Sequence, residues 1–156
     1  MATEPVPDHL YARLFQSWTL PESEWPLCKE DWMRADAICA LPWKGRILDV
    51  GAGDGTLAAM VCSRNPSVTW VNCVEIDKEQ QQAIDQWTRD HWPICAFGTM
   101  NDPGPYDGAL VCEVLEHLTP DEGLALLKQV KAVCKPGARV CVTVPWYKGT
   151  RAEYPG

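Results

Sequence analysis

The chain has 156 residues and a formal net charge of −7, with 46% hydrophobic and 22% charged residues. This length suits one domain with its own core, and the composition is ordinary for a globular protein. Because so acidic a chain repels phosphate backbones, we do not expect it to bind duplex nucleic acid.

The eight cysteines are spread along the chain without any Cys-x-x-Cys pair, and most of them lie in apolar segments. Zinc sites need clustered ligands, so the cysteines are predicted to be free thiols that pack as small core residues. No apolar run is long enough to span a membrane, and the N-terminus has no secretory signal pattern. We therefore expect a cytoplasmic protein.

Predicted helices and strands alternate after a segment rich in proline and tryptophan over residues 1–26. The apolar spacing predicts helices over 27–41, 55–65, 78–92 and 119–134. It predicts strands over 46–50, 68–76, 94–97, 106–114 and 138–145. Asp77 is a candidate helix N-cap, and Thr119 with Glu122 matches a capping box. Apolar strands joined by helices predict a doubly wound α/β sheet, mainly parallel and of about five strands, with helices on both faces.

The loop after the first strand reads Gly-Ala-Gly-Asp-Gly over 51–55 and follows Asp49. The dinucleotide fingerprint G-x-G-x-x-G is incomplete, because its third glycine falls on Thr56. A carboxylate at Asp49 would oppose a pyrophosphate at the helix N-terminus and suits a ligand that carries a cation. S-adenosylmethionine is such a ligand, since it has an ammonium, a sulfonium and a carboxylate but no phosphate. A nicotinamide-dependent oxidoreductase is an alternative that depends on the fold alone.

Glu75 lies at the end of the second predicted strand, 24 residues after Gly51. A carboxylate at that position can accept both hydroxyl protons of a ribose. Together, the glycine loop and Glu75 indicate a site for a nucleoside at the carboxyl ends of the first two strands.

Three strings, "ILDVGAGDG", "VEID" and "YDGALVCEVLEHL", stand in this order at the ends of the first, second and fourth strands. They resemble the first, second and fourth motifs of class I (Rossmann-like) S-adenosylmethionine-dependent methyltransferases, and the resemblance covers residues 27–145. It implies the strand order 3-2-1-4-5 and S-adenosylmethionine as the cofactor. Family members usually continue past the fifth strand with a helix and two more strands, and we do not expect these elements within the 156 residues.

The resemblance also implies which residues contact the cofactor, and they lie at four strand ends. They are Asp49, Gly51, Ala52, Gly53, Glu75, Ile76, Thr99, Met100, Cys112 and Glu113. The first four would hold the methionine moiety and Glu75 the ribose. Ile76 and the pair after the third strand would contact the adenine, and the last two would line the methyl end. Family members often have an acid where this chain has Thr99, so Asp102 is a candidate substitute.

The string "EVLEH" offers candidates for catalysis. If a helical turn begins here, the spacing of Glu113, Glu116 and His117 would place them on one face. These side chains could then bind a divalent metal, although the remaining histidines, His9 and His91, lie in unrelated segments. Alternatively, His117 or Glu113 could be a catalytic general base, or His117 could be structural. The same string occurs in methyltransferases of RNA 3′ ends and of the ubiquinone pathway.

These observations predict one domain over 1–156 that transfers a methyl group from S-adenosylmethionine. The acceptor would be an oxygen or nitrogen atom of a small molecule, an RNA end or a protein. Residues 1–26 are a candidate lid, and homo-oligomers are compatible with the sequence. The alternative is a non-catalytic S-adenosylmethionine-binding module or a fragment of a methyltransferase.

Overall fold

The computed structural model describes residues 29–82, 84, 95–97, 100 and 104–145, so the candidate lid over 1–26 lies outside the described residues. The helices are α1 (Lys29–Cys39), α2 (Thr56–Arg64) and α3 (Pro120–Val133). The strands are β1 (Gly45–Val50), β2 (Val68–Val74), β3 (Cys95–Phe97), β4 (Tyr106–Cys112) and β5 (Cys134–Thr143). Residues 78–82 and 84 are also helical, and a short 3-10 turn spans Leu115–His117. Within these ranges, no helix combines the length and apolar character that crossing a membrane requires.

The five strands form one sheet in the order β3-β2-β1-β4-β5, and every neighbouring pair is parallel. This confirms the predicted order. From β1 the chain moves outward through β2 to β3, and it then returns to the other side of β1 as β4. The strand order therefore reverses between β1 and β4, and ligands of such sheets bind beyond the strand ends at this point.

Helices cover both faces of the sheet, as predicted. On one face, which we call the α1–α2 face, Ile47 of β1 packs with Ile38 and Val61. On the other, the α3 face, Leu48 of β1 packs with Val130. Because neighbouring side chains of a strand point to opposite faces, Asp49 points to the same side as Ile47.

The free thiols predicted from the sequence are confirmed where the structure describes them. Three are buried and three are half-buried: Cys39, Cys62, Cys73, Cys112, Cys134 and Cys141. They serve as small packing residues between the sheet and the helices, which explains why they occur in apolar segments.

The two predicted helix caps are present, one at the helix that follows β2 and the other at α3. Asp77 accepts hydrogen bonds from the backbone N–H groups of Glu79 and Gln80 at 2.8 and 3.1 Å. At α3, Thr119 Oγ1 accepts from the Glu122 N–H, and Glu122 Oε2 accepts from the Thr119 N–H at 2.8 Å. The capping box is therefore confirmed.

The structure differs from the sequence prediction by two residues or more at the ends of β2, β4 and β5 and at the start of β5. β2 ends at Val74, so Glu75 and Ile76 lie in the following loop. The cause is Glu75 itself, whose Oε1 accepts from the N–H groups of Ile76 and Asp77 and turns the chain. Glu75 therefore lies just beyond the carboxyl end of β2, at the edge of the sheet where the ligand crevice is expected.

The start of β5 is the largest difference, because the strand begins at Cys134 instead of residue 138. Cys134 lies opposite Tyr106, whereas Arg139 lies opposite Gly108, so the register shifts between these pairs. Gly137, with φ of +80°, adopts the left-handed conformation that an irregularity of this kind uses. The Lys-Pro-Gly sequence therefore interrupts the pairing without ending the strand.

Candidate functional site

A cavity with a volume of ≈ 230 Å³, which we call the cleft, opens at the carboxyl ends of β1 and β4, where the strand order reverses. One wall is α1, another is the glycine loop with the start of α2, and the third is the end of β4. The lining residues are Arg34, Ala35, Ile38, Asp49, Gly51, Ala52, Gly53, Asp54, Thr56, Leu57, Met60, Cys112 and Glu113. The structure thus brings together six of the ten predicted cofactor residues.

The glycine loop lies close to the end of β4 at Gly51, where the missing side chain leaves room for Val114. Gly51 has φ of +68°, and a Cβ there would lie 2.6 Å from Val114 Cγ2. The N–H groups of Gly51 and Ala52 both donate to the Val74 carbonyl oxygen, which bends the loop towards β2. Gly53 has φ of +56°, and a Cβ there would meet nothing within 4 Å. A side chain at Gly53 would therefore enter open space beside the cleft.

Asp49 places a carboxylate at the base of the cleft and is only 2% exposed. Cys112, on the neighbouring strand β4, also lines the cleft. Burial raises the pKa of the Cys112 thiol to about 12, and the negative charge of Asp49 contributes to that rise. The thiol is therefore protonated and neutral near pH 7, and it is not an activated nucleophile.

Glu75 ties the end of β2 to the glycine loop. Its Oε2 accepts from the Gly53 N–H at 2.8 Å, while its Oε1 accepts from the N–H groups of Ile76 at 2.6 Å and Asp77 at 2.9 Å. Ile76 is 93% exposed, an unusual state for a large apolar side chain. Glu75 therefore borders the cleft at Gly53, and neither Glu75 nor Ile76 lines it.

Glu113 has φ of +57°, a left-handed conformation that residues other than glycine seldom adopt. Three contacts hold it there. Its N–H donates to the Thr143 carbonyl oxygen at 3.0 Å, and its Oε1 accepts from Thr143 Oγ1 at 2.9 Å. Its Oε2 lies 3.1 Å from Nη1 of Arg34. Backbone strain of this kind, held by surrounding contacts, is typical of functional sites.

Arg34 is not among the site residues predicted from the sequence, because its segment shows only the pattern of an amphipathic helix. The available signal was its position beside Ala35 and one turn before Ile38, two residues on the face of α1 that packs on the sheet. An arginine at the edge of such an apolar face can reach the same crevice as its neighbours.

The metal hypothesis required Glu113, Glu116 and His117 to share one helical face, and they do not. The helical turn is a 3-10 turn that begins only at Leu115, after Glu113 has turned towards Arg34 and Thr143. The side chain of His117 is 75% exposed, and its Nε2 lies 3.9 Å from Glu116 Oε1. Across the described part of the chain, no three His, Cys, Asp or Glu side chains are grouped so as to hold a metal ion.

The predicted adenine contacts after β3 are only partly described. Met100 is half-buried against the α3-face cluster and does not line the cleft. Thr99 and the candidate substitute Asp102 lie outside the described residues.

Comparison with known proteins points to one family. The family described as "Methyltransferase domain" matches residues 48–140, more than half of the chain. The ubiquinone biosynthesis O-methyltransferase of Idiomarina loihiensis is 29% identical over 99 residues, which are 61% of this chain and 40% of that protein.

Solved structures show the same fold. An O-methyltransferase family protein from Burkholderia thailandensis superposes with a TM-score of 0.63 at 17% identity, covering 73% of this chain and 37% of that one. The glycopeptide N-methyltransferase MtfA, complexed with S-adenosyl-L-methionine, superposes with a TM-score of 0.61 at 15% identity, covering 70% and 48%. The chain thus matches less than half the length of each of these three proteins.

Proposed function

The chain belongs to the methyltransferase domain family, and from this premise we propose that it transfers a methyl group from S-adenosylmethionine to an oxygen acceptor. The observation that carries the proposal is the cleft at the reversal of strand order, with the buried carboxylate of Asp49 beside an open glycine loop. The choice of oxygen is supported by the curated relative, which is named an O-methyltransferase.

S-adenosylmethionine is the cofactor of this domain, and the residues of the cleft fit it. Asp49 offers a carboxylate to the cofactor's ammonium, and the open space at Gly53 leaves room for close approach to the backbone. Among the described residues that line the cleft, Arg34 is the single cation. A phosphate-rich nucleotide would need more positive charge and would be repelled by Asp49.

Glu75 and Ile76 are proposed to hold the nucleoside. The three backbone N–H groups that donate to Glu75 fix the orientation of its carboxylate. Since a carboxylate has about four acceptor positions, Oε2 can still accept from a ribose hydroxyl. The exposed side chain of Ile76 gives the adenine ring an apolar surface, and covering it would be favourable.

When bound, the cofactor supplies a methyl group that is already activated by its sulfonium. The chain has then to orient the acceptor and exclude water. The neutral thiol of Cys112 lines the cleft without competing as a nucleophile. Of the two candidate bases, only Glu113 lines the cleft, and its contacts with Arg34 and Thr143 favour a positioning role over proton transfer.

The test uses the full chain with S-adenosylmethionine labelled in the methyl group. Paired acceptors that differ only in a hydroxyl or an amine on the same ring are incubated with it, and labelled products are separated by chromatography. We expect label in the hydroxyl members of the pairs. Label confined to the amine members would refute the oxygen acceptor, and failure to bind S-adenosylmethionine in calorimetry would refute the cofactor as well.

A further inference from the structure

We propose that Thr143 of β5 is a positioning residue, whose hydroxyl holds the carboxylate of Glu113 in place at the cleft. Thr143 is not among the described residues that line the cleft, whereas Glu113 is, so Thr143 acts on the cleft through its neighbour. The proposal rests on the function proposed above and deepens it, because it makes β5 a support of the cofactor site.

Thr143 contacts both the backbone and the side chain of Glu113. It lies opposite Cys112 in the parallel pairing of β4 with β5. Its carbonyl oxygen accepts from the Glu113 N–H at 3.0 Å, which continues the pairing one residue beyond the end of β4. Its Oγ1 donates to Glu113 Oε1 at 2.9 Å. A single residue of β5 therefore fixes where Glu113 begins and where one of its carboxylate oxygens lies.

Glu113 depends on such contacts because its backbone is left-handed. Its φ of +57° is unfavourable for a residue with a Cβ, and the long side chain of a glutamate has several rotatable bonds. The ion pair with Arg34 holds Oε2, and the hydroxyl of Thr143 holds Oε1. These two contacts at different oxygens fix the plane of the carboxylate, and loss of the hydroxyl would leave the carboxylate held at one oxygen by that pair.

The orientation of the hydroxyl is itself set by a cleft residue. A side-chain hydrogen bond joins Thr143 to the thiol of Cys112. A hydroxyl has one proton and two lone pairs, and the proton of Thr143 is donated to Glu113. The oxygen of Thr143 is thus left to accept from the thiol, which is protonated near pH 7. The thiol and the carboxylate, the two β4-end groups that line the cleft, are in this way joined through one hydroxyl of β5.

The test compares Thr143→Val, which keeps the shape of the side chain and the backbone contact, with Thr143→Ser, which keeps the hydroxyl. Affinity for S-adenosylmethionine is measured by calorimetry on the full chain, and thermal melts check that each variant folds. Because a released Glu113 must be ordered when the ligand binds, Thr143→Val should weaken binding by about 2- to 12-fold. Thr143→Ser should stay within about twofold of wild type.

Thr69→Val is the matched control, because it removes the same hydroxyl from an exposed strand residue of β2 that does not line the cleft. It should bind S-adenosylmethionine as the wild type does. Thr143→Ala, which also lacks the hydroxyl, repeats the comparison if Thr143→Val does not fold. Wild-type affinity in a folded variant without the hydroxyl would overturn the inference, as would a Thr143→Ser variant that binds equally weakly.

A double-mutant cycle distinguishes positioning of Glu113 from a merely structural role. In a Glu113→Ala background the hydroxyl has no carboxylate to hold, so adding Thr143→Val should weaken binding by less than about twofold. An additional loss as large as in the wild-type background would show that Thr143 acts elsewhere and would overturn the inference. These outcomes leave the proposed function standing as long as the wild type binds S-adenosylmethionine. If the wild type did not bind it, the proposed function would fail as well.

Discussion

Replacing Gly53 is the sharpest perturbation of the proposed cofactor site. Its φ of +56° is left-handed, and its missing Cβ would point into open space beside the cleft. Gly53→Ala and Gly53→Val therefore act in two ways. They strain the backbone, and they place carbon atoms where a ligand would approach the loop.

The two effects have different magnitudes. Left-handed backbone costs a residue with a Cβ about 1–2 kcal/mol. The smaller entropy of the unfolded chain offsets about 0.4–1 kcal/mol of this. The net loss of about 1 kcal/mol should lower the melting temperature of a chain this long by about 2–4 °C. Displacing the ligand from Asp49 would in addition cost about 1.5–3 kcal/mol of binding energy, which is about 10- to 150-fold in affinity.

Gly137 is a control position that distinguishes backbone strain from obstruction of the ligand site. Its φ is +80°, and a Cβ there would also meet nothing within 4 Å, but it lies in β5 and does not line the cleft. The same substitutions are made at both glycines, followed by thermal melts and by calorimetry with S-adenosylmethionine. We expect similar losses of stability at both positions and a loss of affinity only at Gly53. Normal affinity in a folded Gly53→Val variant would refute the placement of the cofactor against this loop.

Three further predictions concern the other residues of the site. Glu75→Ala should weaken S-adenosylmethionine binding in calorimetry by about 1–3 kcal/mol, because both a ribose partner and the acceptor of the Gly53 N–H are lost; unchanged affinity would contradict the ribose assignment. His117→Ala should change the kcat/KM of methyl transfer by less than about twofold, since the side chain is exposed outside the cleft; a tenfold loss would restore it as a base. The raised pKa of Cys112 means that its contribution to stability is complete below pH 9.0 and is lost as the pH rises towards about 12. Urea denaturation should therefore show a decline in unfolding free energy above pH 9.0, steepening to at most about 1.4 kcal/mol per pH unit for this thiol, and Cys112→Ala should make the decline shallower.

Local sequence patterns were sufficient to predict the sheet and the positions of many residues that line the cleft. Asp49 and the glycine loop follow an apolar strand directly, so their place at a strand end depends on neighbours in sequence. The same holds for Cys112, the last residue of β4. The capping box of Thr119 and Glu122 is likewise a local signal, and the structure forms it as predicted.

Contacts between distant segments could not be predicted in this way. The ion pair of Arg34 with Glu113 depends on how α1 packs over the sheet, and nothing near either residue encodes it. The apolar pattern predicts that β4 continues to residue 114, whereas Glu113 turns the chain by a positive φ that a glutamate does not signal. Met100 packs on the α3 face because of the apolar cluster beneath it, which a loop sequence does not reveal.

Hydrogen bonds join the glycine loop to Glu75 and to the end of β2, so a substitution in one of these segments also affects the other. Glu75 accepts from the Gly53 N–H, and Gly51 and Ala52 donate to the carbonyl oxygen at the end of β2. A ligand that donates a hydrogen bond to Glu75 must therefore bind a carboxylate that already accepts from the loop. On the opposite wall, the register of β4 against β5 fixes Glu113 and, through it, Arg34. Contacts between the ends of neighbouring strands thus hold the cleft from two sides, so its shape depends on the sheet and not on any one loop.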